Sequence, residues 1–326
     1  MRAVFESTPL PDGAPMVVLD RVVKSWGPKP VLVGASATIG AGITGLLGAN
    51  GTGKTTLIGM MLGLHPPDSG RITVLDHDAA TAGPAVRLRL GYSPEHHLLP
   101  PDVKAVDLVR HVAELHGIPS RPARARASDA LWLVGLGEER GRAVGTMSTG
   151  QRQRVKLAQC LAHDPALIIL DEPTDGLDPL QRDSMLELIS KVSRQFGISV
   201  LLSSHHLDEV ERLCDSVVIL HQGVVAAAGR LDDLKAISSA GVVEVEFDDT
   251  PERVSALLTD LGSQGIEHMA SGRGFLVRSR VDMPGRADLT DLVTRTVARH
   301  GVGIRSIGPH PVSLEEVFLG VGSPQR

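Results

Sequence analysis

One run of eight residues, GANGTGKT at 48–55, constrains this chain more than anything else in it. It matches the spacing G-x-x-x-x-G-K-S/T, and its flanks agree: an apolar run, ITGLL (43–47), precedes it and a helix-forming run, TTLIGMMLGL (55–64), follows. A strand that turns through glycines into a helix exposes consecutive backbone N–H groups, which can cradle phosphate oxygens. The helix N-terminus adds partial positive charge at the same point. In such a loop Gly48, Asn50, Gly51 and Gly53 shape the turn, Lys54 reaches the β- and γ-phosphates, the Thr55 hydroxyl is a Mg²⁺ ligand, and Thr56 opens the helix beside it.

A second motif supports the first. LIILDEP (167–173) is an apolar strand ending in two adjacent carboxylates. Alone, this pattern also describes a strand entering a solvated turn. Beside a nucleotide's phosphates, Asp171 would hold Mg²⁺, usually through water, and Glu172 would orient or deprotonate an attacking water. A third segment, MSTGQRQR (147–154), spaces Ser148 and Gln151 as a helix capping box. It reads either as only a capped amphipathic helix or as an exposed helix start that meets a phosphate.

Composition removes several classes. Only eight of 326 residues are aromatic, and the formal net charge is −5. Stacking single-stranded nucleic acid needs interleaved aromatic and basic residues, and a nonspecific duplex binder needs a basic surface, so no nucleic-acid partner is expected. Cys160 and Cys214 are read as core residues of a reduced, cytosolic protein. The first fifteen residues have no apolar stretch and are not expected to act as a signal peptide. Pro30 to Gly53 carries no charge, but its seven glycines and short apolar runs read as two short strands and a glycine loop rather than a membrane span.

Along the chain, residues 1–15 read as an extension. Strands are expected at MVVLDRVV (16–23), ITGLL and RITVLD (71–76), and a helix over 102–116 with Val103, Val106, Val109 and Val112 on one face. Helices dominate to about 162. ALIIL (166–170) and ISVLL (198–202) read as central parallel strands, and SVVIL (216–220) with GVVAAAG (223–229) as a strand pair. The composition shifts at 230–241. Beyond it, alternation in VVEVEF (242–247), helices at 251–262 and 287–300, and strands at 274–279 and 302–307 describe an α+β appendage.

Together the motifs resemble the ATP-binding subunit of an ABC transporter, of the bacterial drug- or antibiotic-exporter type. Gln151 stands twenty residues before Asp171, the spacing of that family's signature before its Walker B carboxylate. TDGLDP (174–179) resembles the D-loop, with Asp178 at its centre. LLSSHHLDEVERLCD (201–215) resembles the switch-histidine segment and assigns His205, rather than His206, to the γ-phosphate. GYSPE (91–95) falls at the Q-loop. Trp26, in KSWG, falls where the family stacks an aromatic on adenine, although a half-buried edge residue is the plainer account. The tail PVSLEEVFLGV (311–321) resembles the end of the exporter subgroup's ATPases.

Two departures stand out. The signature's first glycine is Thr149, with Met147 for its leucine, and the Q-loop position is Glu95, which can still face Mg²⁺.

The resemblance implies an α/β fold: a P-loop NTPase core with a mostly parallel central sheet, an antiparallel β subdomain and a helical subdomain (about 96–157), all within 16–235, plus a C-terminal α+β domain over 240–326. It implies ATP and Mg²⁺ as cofactors, and a head-to-tail homo- or heterodimer. Lys54, Thr55 and Asp171 of one protomer would face Ser148, Gly150 and Gln151 of the other across ATP. Glu172 would polarise water and His205 stabilise the transition state. A separate integral membrane permease would carry the substrate, with this chain peripheral at the cytoplasmic face of the cell membrane. An importer ATPase with a regulatory C-terminal domain, a ligand-sensing appendage, and a soluble mechanochemical ATPase are the alternatives. The last usually carries two modules or a long coiled-coil insertion.

Overall fold

The computed structural model describes residues 13–96, 99–238, 242–271, 274–279, 286–310 and 313–317. Most of the N-terminal extension, His97 and both ends of the 311–321 tail lie outside the described residues. The chain divides into two units, Met1–Leu231 and Asp232–Arg326.

The first unit begins with β1 (Val17–Trp26) and β2 (Lys29–Ile39), joined by the two-residue turn Gly27-Pro28. Gly27 has φ +59, which a glycine adopts without a Cβ clash. This turn fixes Trp26 at the tip of the hairpin. The uncharged stretch is therefore strand, but β2 runs for eleven residues rather than the short VLV segment expected. Next come β3 (Ile43–Leu47), α1 (Lys54–Met61), β4 (Ser69–Val74), β5 (His77–Asp78), α2 (Gly83–Leu88) and β6 (Leu90–Ser93).

A helical stretch follows: α3 (Ala105–Leu115), α4 (Ser120–Leu133) and α5 (Thr149–Leu161), which pack on one another. Here one expectation is corrected. Helix α3 starts at Ala105, so Val103 precedes it, and the buried face is Ala105, Val109 and Ala113 at i, i+4 spacing. The valine periodicity marked the helix but not its innermost face, because small alanines permit the closest approach of α4.

The unit closes with β7 (Leu167–Asp171), α6 (Pro179–Phe196), β8 (Ser199–Ser204), α7 (Leu207–Leu213), β9 (Ser216–His221) and β10 (Val224–Arg230). Six strands form one sheet in the order β10-β9-β3-β8-β7-β6. All neighbours are parallel except the β9–β10 pair. Strands β3, β7 and β8 are buried along their whole length, as strands covered on both faces must be. A second, antiparallel sheet runs β2-β1-β4-β5. A continuous apolar core joins the two sheets through Leu32, Leu46, Leu57, Ile72 and Ile169.

The second unit contains α8 (Leu231–Ser238), β11 (Val242–Phe247), α9 (Pro251–Ser263), β12 (Ile266–Ser271), β13 (Gly274–Ser279), α10 (Arg286–His300) and β14 (Ile304–Pro309). From β11 onward it is a β-α-β-β-α-β unit with an antiparallel sheet ordered β12-β13-β11-β14. Val243, Val245, Leu257, Leu261, Val277 and Val293 form its own core. Strand β12 was not expected from the sequence. It is an edge strand whose Glu267 and His268 interrupt any apolar pattern.

Candidate nucleotide site

The parallel register builds the site. Leu47 at the end of β3 pairs with Ser204 of β8, and Asp171 at the end of β7 pairs with Ser203. The glycine loop, the paired carboxylates and the histidine turn thus leave the sheet side by side at its C-terminal edge, where open α/β sheets bind ligands. Among the described residues, Trp26, Asn50, Gly51, Gly53, Lys54, Thr55, Thr56, Glu95, Asp171 and Glu172 line one cleft of about 280 Å³, with Lys29 and Val31.

The loop's backbone needs its glycines. Gly53 caps α1 at φ +108. A Cβ on Gly48 would stand 2.5 Å from Thr52 Oγ1 and 2.8 Å from the Leu220 carbonyl. Lys54 is the first residue of α1, and its Nζ donates to the Gly48 carbonyl at 2.6 Å. Its ammonium also lies 3.9 Å from Glu172 Oε1. The lysine thus sits between the loop backbone and the carboxylate, on the cleft's floor.

Asp171 and Glu172 are 4% and 7% exposed, so two carboxylates share a nearly dry position. Burial pushes the Asp171 carboxyl above its ordinary range; the Ser203 hydrogen bond opposes this and the Glu172 charge adds to it. Ser203 is wholly buried and serves both acids. Its hydroxyl donates to Asp171 Oδ1 and accepts the Glu172 N–H at 3.1 Å. Glu172 itself adopts φ +49, in the left-handed region that a non-glycine residue rarely occupies. Its Oε2 is 2.9 Å from His205 Nδ1.

Hard oxygen donors, a hydroxyl and carboxylates, are the set that suits Mg²⁺. Thr55, Asp171 and Glu95 supply such donors to one cleft, so the residues fit that ion.

Trp26 is half-exposed at the rim. Its indole N–H donates to Thr56 Oγ1 at 3.4 Å, Lys24 Nζ stands 5.1 Å from the ring, and His65 meets it edge-on at 5.0 Å. These contacts hold the indole upright against the loop. Glu95 pairs with His96 at 3.2 Å, and its carbonyl accepts from Lys156 at 3.1 Å.

Six expected residues are not among those lining the cleft: Gly48, whose carbonyl accepts from Lys54; His205, which bonds Glu172; and four that lie elsewhere. Ser148 caps α5 with the full capping box: its Oγ accepts the Gln151 N–H at 3.2 Å, and its own N–H donates to Gln151 Oε1 at 3.1 Å. Asp178 caps α6 by accepting the Gln181 N–H at 2.8 Å. Ser148, Gly150, Gln151 and Asp178 do not line the cleft. A Cβ on Gly150 would press on Gln181 Oε1 at 3.0 Å, so the starts of α5 and α6 lie against each other. Sequence reasoning missed Ser203, Lys29 and Val31. For Ser203 a signal existed: a polar pair, Ser-Ser, follows the apolar run Val200–Leu202 directly before the histidines.

Comparison with known proteins points to one family. A family model described as "ABC transporter" matches residues 33–175. The linearmycin resistance ATP-binding protein LnrL of Bacillus subtilis is 35% identical, covering 94% of this chain and 98% of its own. The daunorubicin resistance ATP-binding protein DrrA3 of Streptomyces coeruleorubidus is 31% identical, covering 95% and 96%. Among solved structures, cbiO1 from Clostridium perfringens, described as part of the ABC transporter complex cbiONQ, superposes with a TM-score of 0.62 at 27% identity, over 68% of this chain and 91% of that one.

Proposed function

The chain belongs to the ATP-binding subunits of ABC transporters, and from that premise we propose how its residues turn ATP into work. It is an ATPase that powers export. Relatives that match it nearly end to end include resistance ATP-binding proteins. The compounds in their names, linearmycin and daunorubicin, differ, so we assign this chain a drug-, antibiotic- or lipid-like cargo without naming one.

The observation that carries the site reading is the register at the sheet edge. It brings Lys54 within 3.9 Å of Glu172, and Glu172 within 2.9 Å of His205, beside a glycine cradle. In this reading the loop amides and Lys54 hold the β- and γ-phosphates, as Trp26 stacks on the base. Thr55 and Asp171 would hold Mg²⁺, with Glu95 facing it; when bound, the ion neutralises phosphate charge and fixes the phosphate oxygens. Glu172 Oε2 accepts the proton of the attacking water or orients it for in-line attack. His205 holds Glu172 in position and faces the γ-phosphate as charge develops.

Ser148, Gly150 and Gln151 lie outside the cleft, which supports assigning them to a partner protomer's ATP. Two chains would then sandwich two nucleotides. Thr149 adds a methyl and a hydroxyl where the family carries glycine. The hydroxyl accepts from Arg152 Nη2 at 3.1 Å, so the side chain is held at its own helix start.

Among the described residues no helix is long and apolar enough to cross a membrane. The reading therefore assigns the cargo path to a separate membrane permease, with this chain at its cytoplasmic face. The test has two arms. Purified chain should hydrolyse ATP, and Lys54→Ala should not. Tagged chain should co-purify from membranes with a multi-span membrane protein. Full hydrolysis by Lys54→Ala would refute the site; isolation of the tagged chain free of any membrane protein would refute the transport assignment.

A further inference from the structure

Glu209 lies in the first turn of α7 and is 1% exposed. A carboxylate so deeply buried needs partners, because desolvating it otherwise costs several kcal/mol. It has three, from three different segments. Its Oε2 accepts the Thr174 hydroxyl at 2.8 Å and the Ser204 hydroxyl at 3.1 Å. Its Oε1 forms an ion pair with Arg182 of α6, 3.3 Å from Nε, although among the described residues neither atom has a hydrogen-bond partner.

The positions of those partners give the arrangement its meaning. Thr174 follows Glu172 by two residues, and Ser204 immediately precedes His205. Ser204 Oγ also accepts the His206 N–H at 3.0 Å, which fixes the backbone on the far side of His205. Arg182 lies one turn beyond Asp178, whose carbonyl accepts the Arg182 N–H at 2.9 Å. Both chain segments that carry the Glu172–His205 pair are thus tied to one carboxylate, and the start of α6 is tied to it as well.

Glu172 needs such a tie. Its φ of +49 is not one the chain adopts freely. Ser203 holds it from the strand side, but nothing in that contact fixes the turn that follows. We propose that Glu209 is a positioning residue for hydrolysis. It holds the turn after Glu172 and the turn bearing His205 at one fixed separation, and it couples both to α6. It touches no reacting atom. The proposal rests on the reading of Glu172 and His205 given above.

The test separates rate from binding. Glu209→Gln keeps an oxygen for the two hydroxyls but removes the charge and sets an NH₂ beside the Arg182 guanidinium, leaving that cation without its counter-charge. Single-turnover ATP hydrolysis should fall on the order of 10²-fold, since a shift of about 1 Å in a reacting group costs that much. Equilibrium ATP affinity should stay within about threefold, because no phosphate contact is lost. Glu209→Gln combined with Arg182→Met removes that cation and should recover at least about tenfold of the rate. Thr174→Val leaves the ion pair intact and provides a second arm should Glu209→Gln fold poorly; it too should slow hydrolysis at unchanged affinity.

Wild-type rates in Thr174→Val and Glu209→Gln, a parallel loss of affinity and rate, or no recovery in the double variant would each overturn the proposal. Glu172→Gln serves as the control. If it hydrolyses ATP normally, the reading of the site fails first. If it is inactive while the Glu209 and Thr174 variants turn over normally, only the clamp fails.

Discussion

Glu172 bridges Lys54 and His205: its Oε1 lies 3.9 Å from the ammonium and its Oε2 lies 2.9 Å from the imidazole. One buried carboxylate therefore meets the lysine of the glycine loop on one side and a histidine of the turn after β8 on the other. Replacing it with glutamine keeps the size and the bond to His205 but removes the base. Glu172→Gln should lower hydrolysis about 10²–10⁴-fold while ATP binding persists. ATP should then accumulate a dimer on a sizing column, where the wild-type chain runs as monomer after turnover. Retained turnover would remove Glu172 from the mechanism.

Ser203 makes a separate prediction because one hydroxyl serves both acids. Ser203→Ala leaves Asp171 without its donor and takes one of two acceptors from the Glu172 N–H, the other being the Ser203 carbonyl at 3.2 Å. Losing a partner to a buried polar group costs about 1–3 kcal/mol. For a unit of this size that is about 2–4 °C in Tm per kcal/mol. Calorimetry on the variant should find this drop, with hydrolysis reduced alongside it. An unchanged Tm would mean that the hydroxyl's contacts carry no net stability.

Trp26 predicts a change in affinity with little change in stability, since 47% of the residue is exposed. If adenine stacks on its indole, Trp26→Ala should weaken ATP binding by about 1–3 kcal/mol, as base–aromatic stacking does at other sites. That is roughly 5- to 150-fold in Kd. Trp26→Phe should recover most of it. Titration calorimetry with a non-hydrolysable analogue measures both, and equal affinities across the three chains would return Trp26 to the role of an edge residue.

How much of this was legible beforehand depends on where each interaction is written in the chain. The phosphate loop is contiguous, so residue type and spacing alone identify Gly48 through Thr55. Strands β3, β7 and β8 announce themselves because burial on both faces favours mostly apolar runs, here ITGLL, LIIL and VLL. The capping box at Ser148 and Gln151 is likewise local. By contrast, the bonds of Ser203 to Asp171 and of Glu209 to Thr174 span more than thirty residues and depend on strand register. No periodicity encodes them. Strand β6 escaped for another reason: its four residues include Gly91 and Ser93, and it becomes a strand only by pairing with β7. Cys160 and Cys214, read as core residues, are buried free thiols.

The last prediction concerns acid stability and comes from a residue outside the site. His163 is buried, donates from Nε2 to the Leu90 carbonyl at 3.2 Å, and stacks on His116 with ring centroids 3.7 Å apart. Its Nδ1 is buried with no hydrogen-bond partner among the described residues. Burial, with the neighbouring His116 adding to it, pushes its pKa down to about 3. The unfolded chain binds a proton there below about 6.5, whereas the folded chain resists until about 3. Between those values the unfolded state holds more protons, so stability rises with pH across the window. The contribution is complete above the unfolded value and is lost as pH falls toward 3, at most on the order of 5 kcal/mol. His163→Phe keeps a ring against His116 but cannot charge. Carboxylates titrate in the same range, so the decisive quantity is the difference between the two chains in urea unfolding from pH 7 to pH 4. The wild type should lose stability faster than His163→Phe as the pH falls. Parallel curves would show that His163 is protonated in the folded chain.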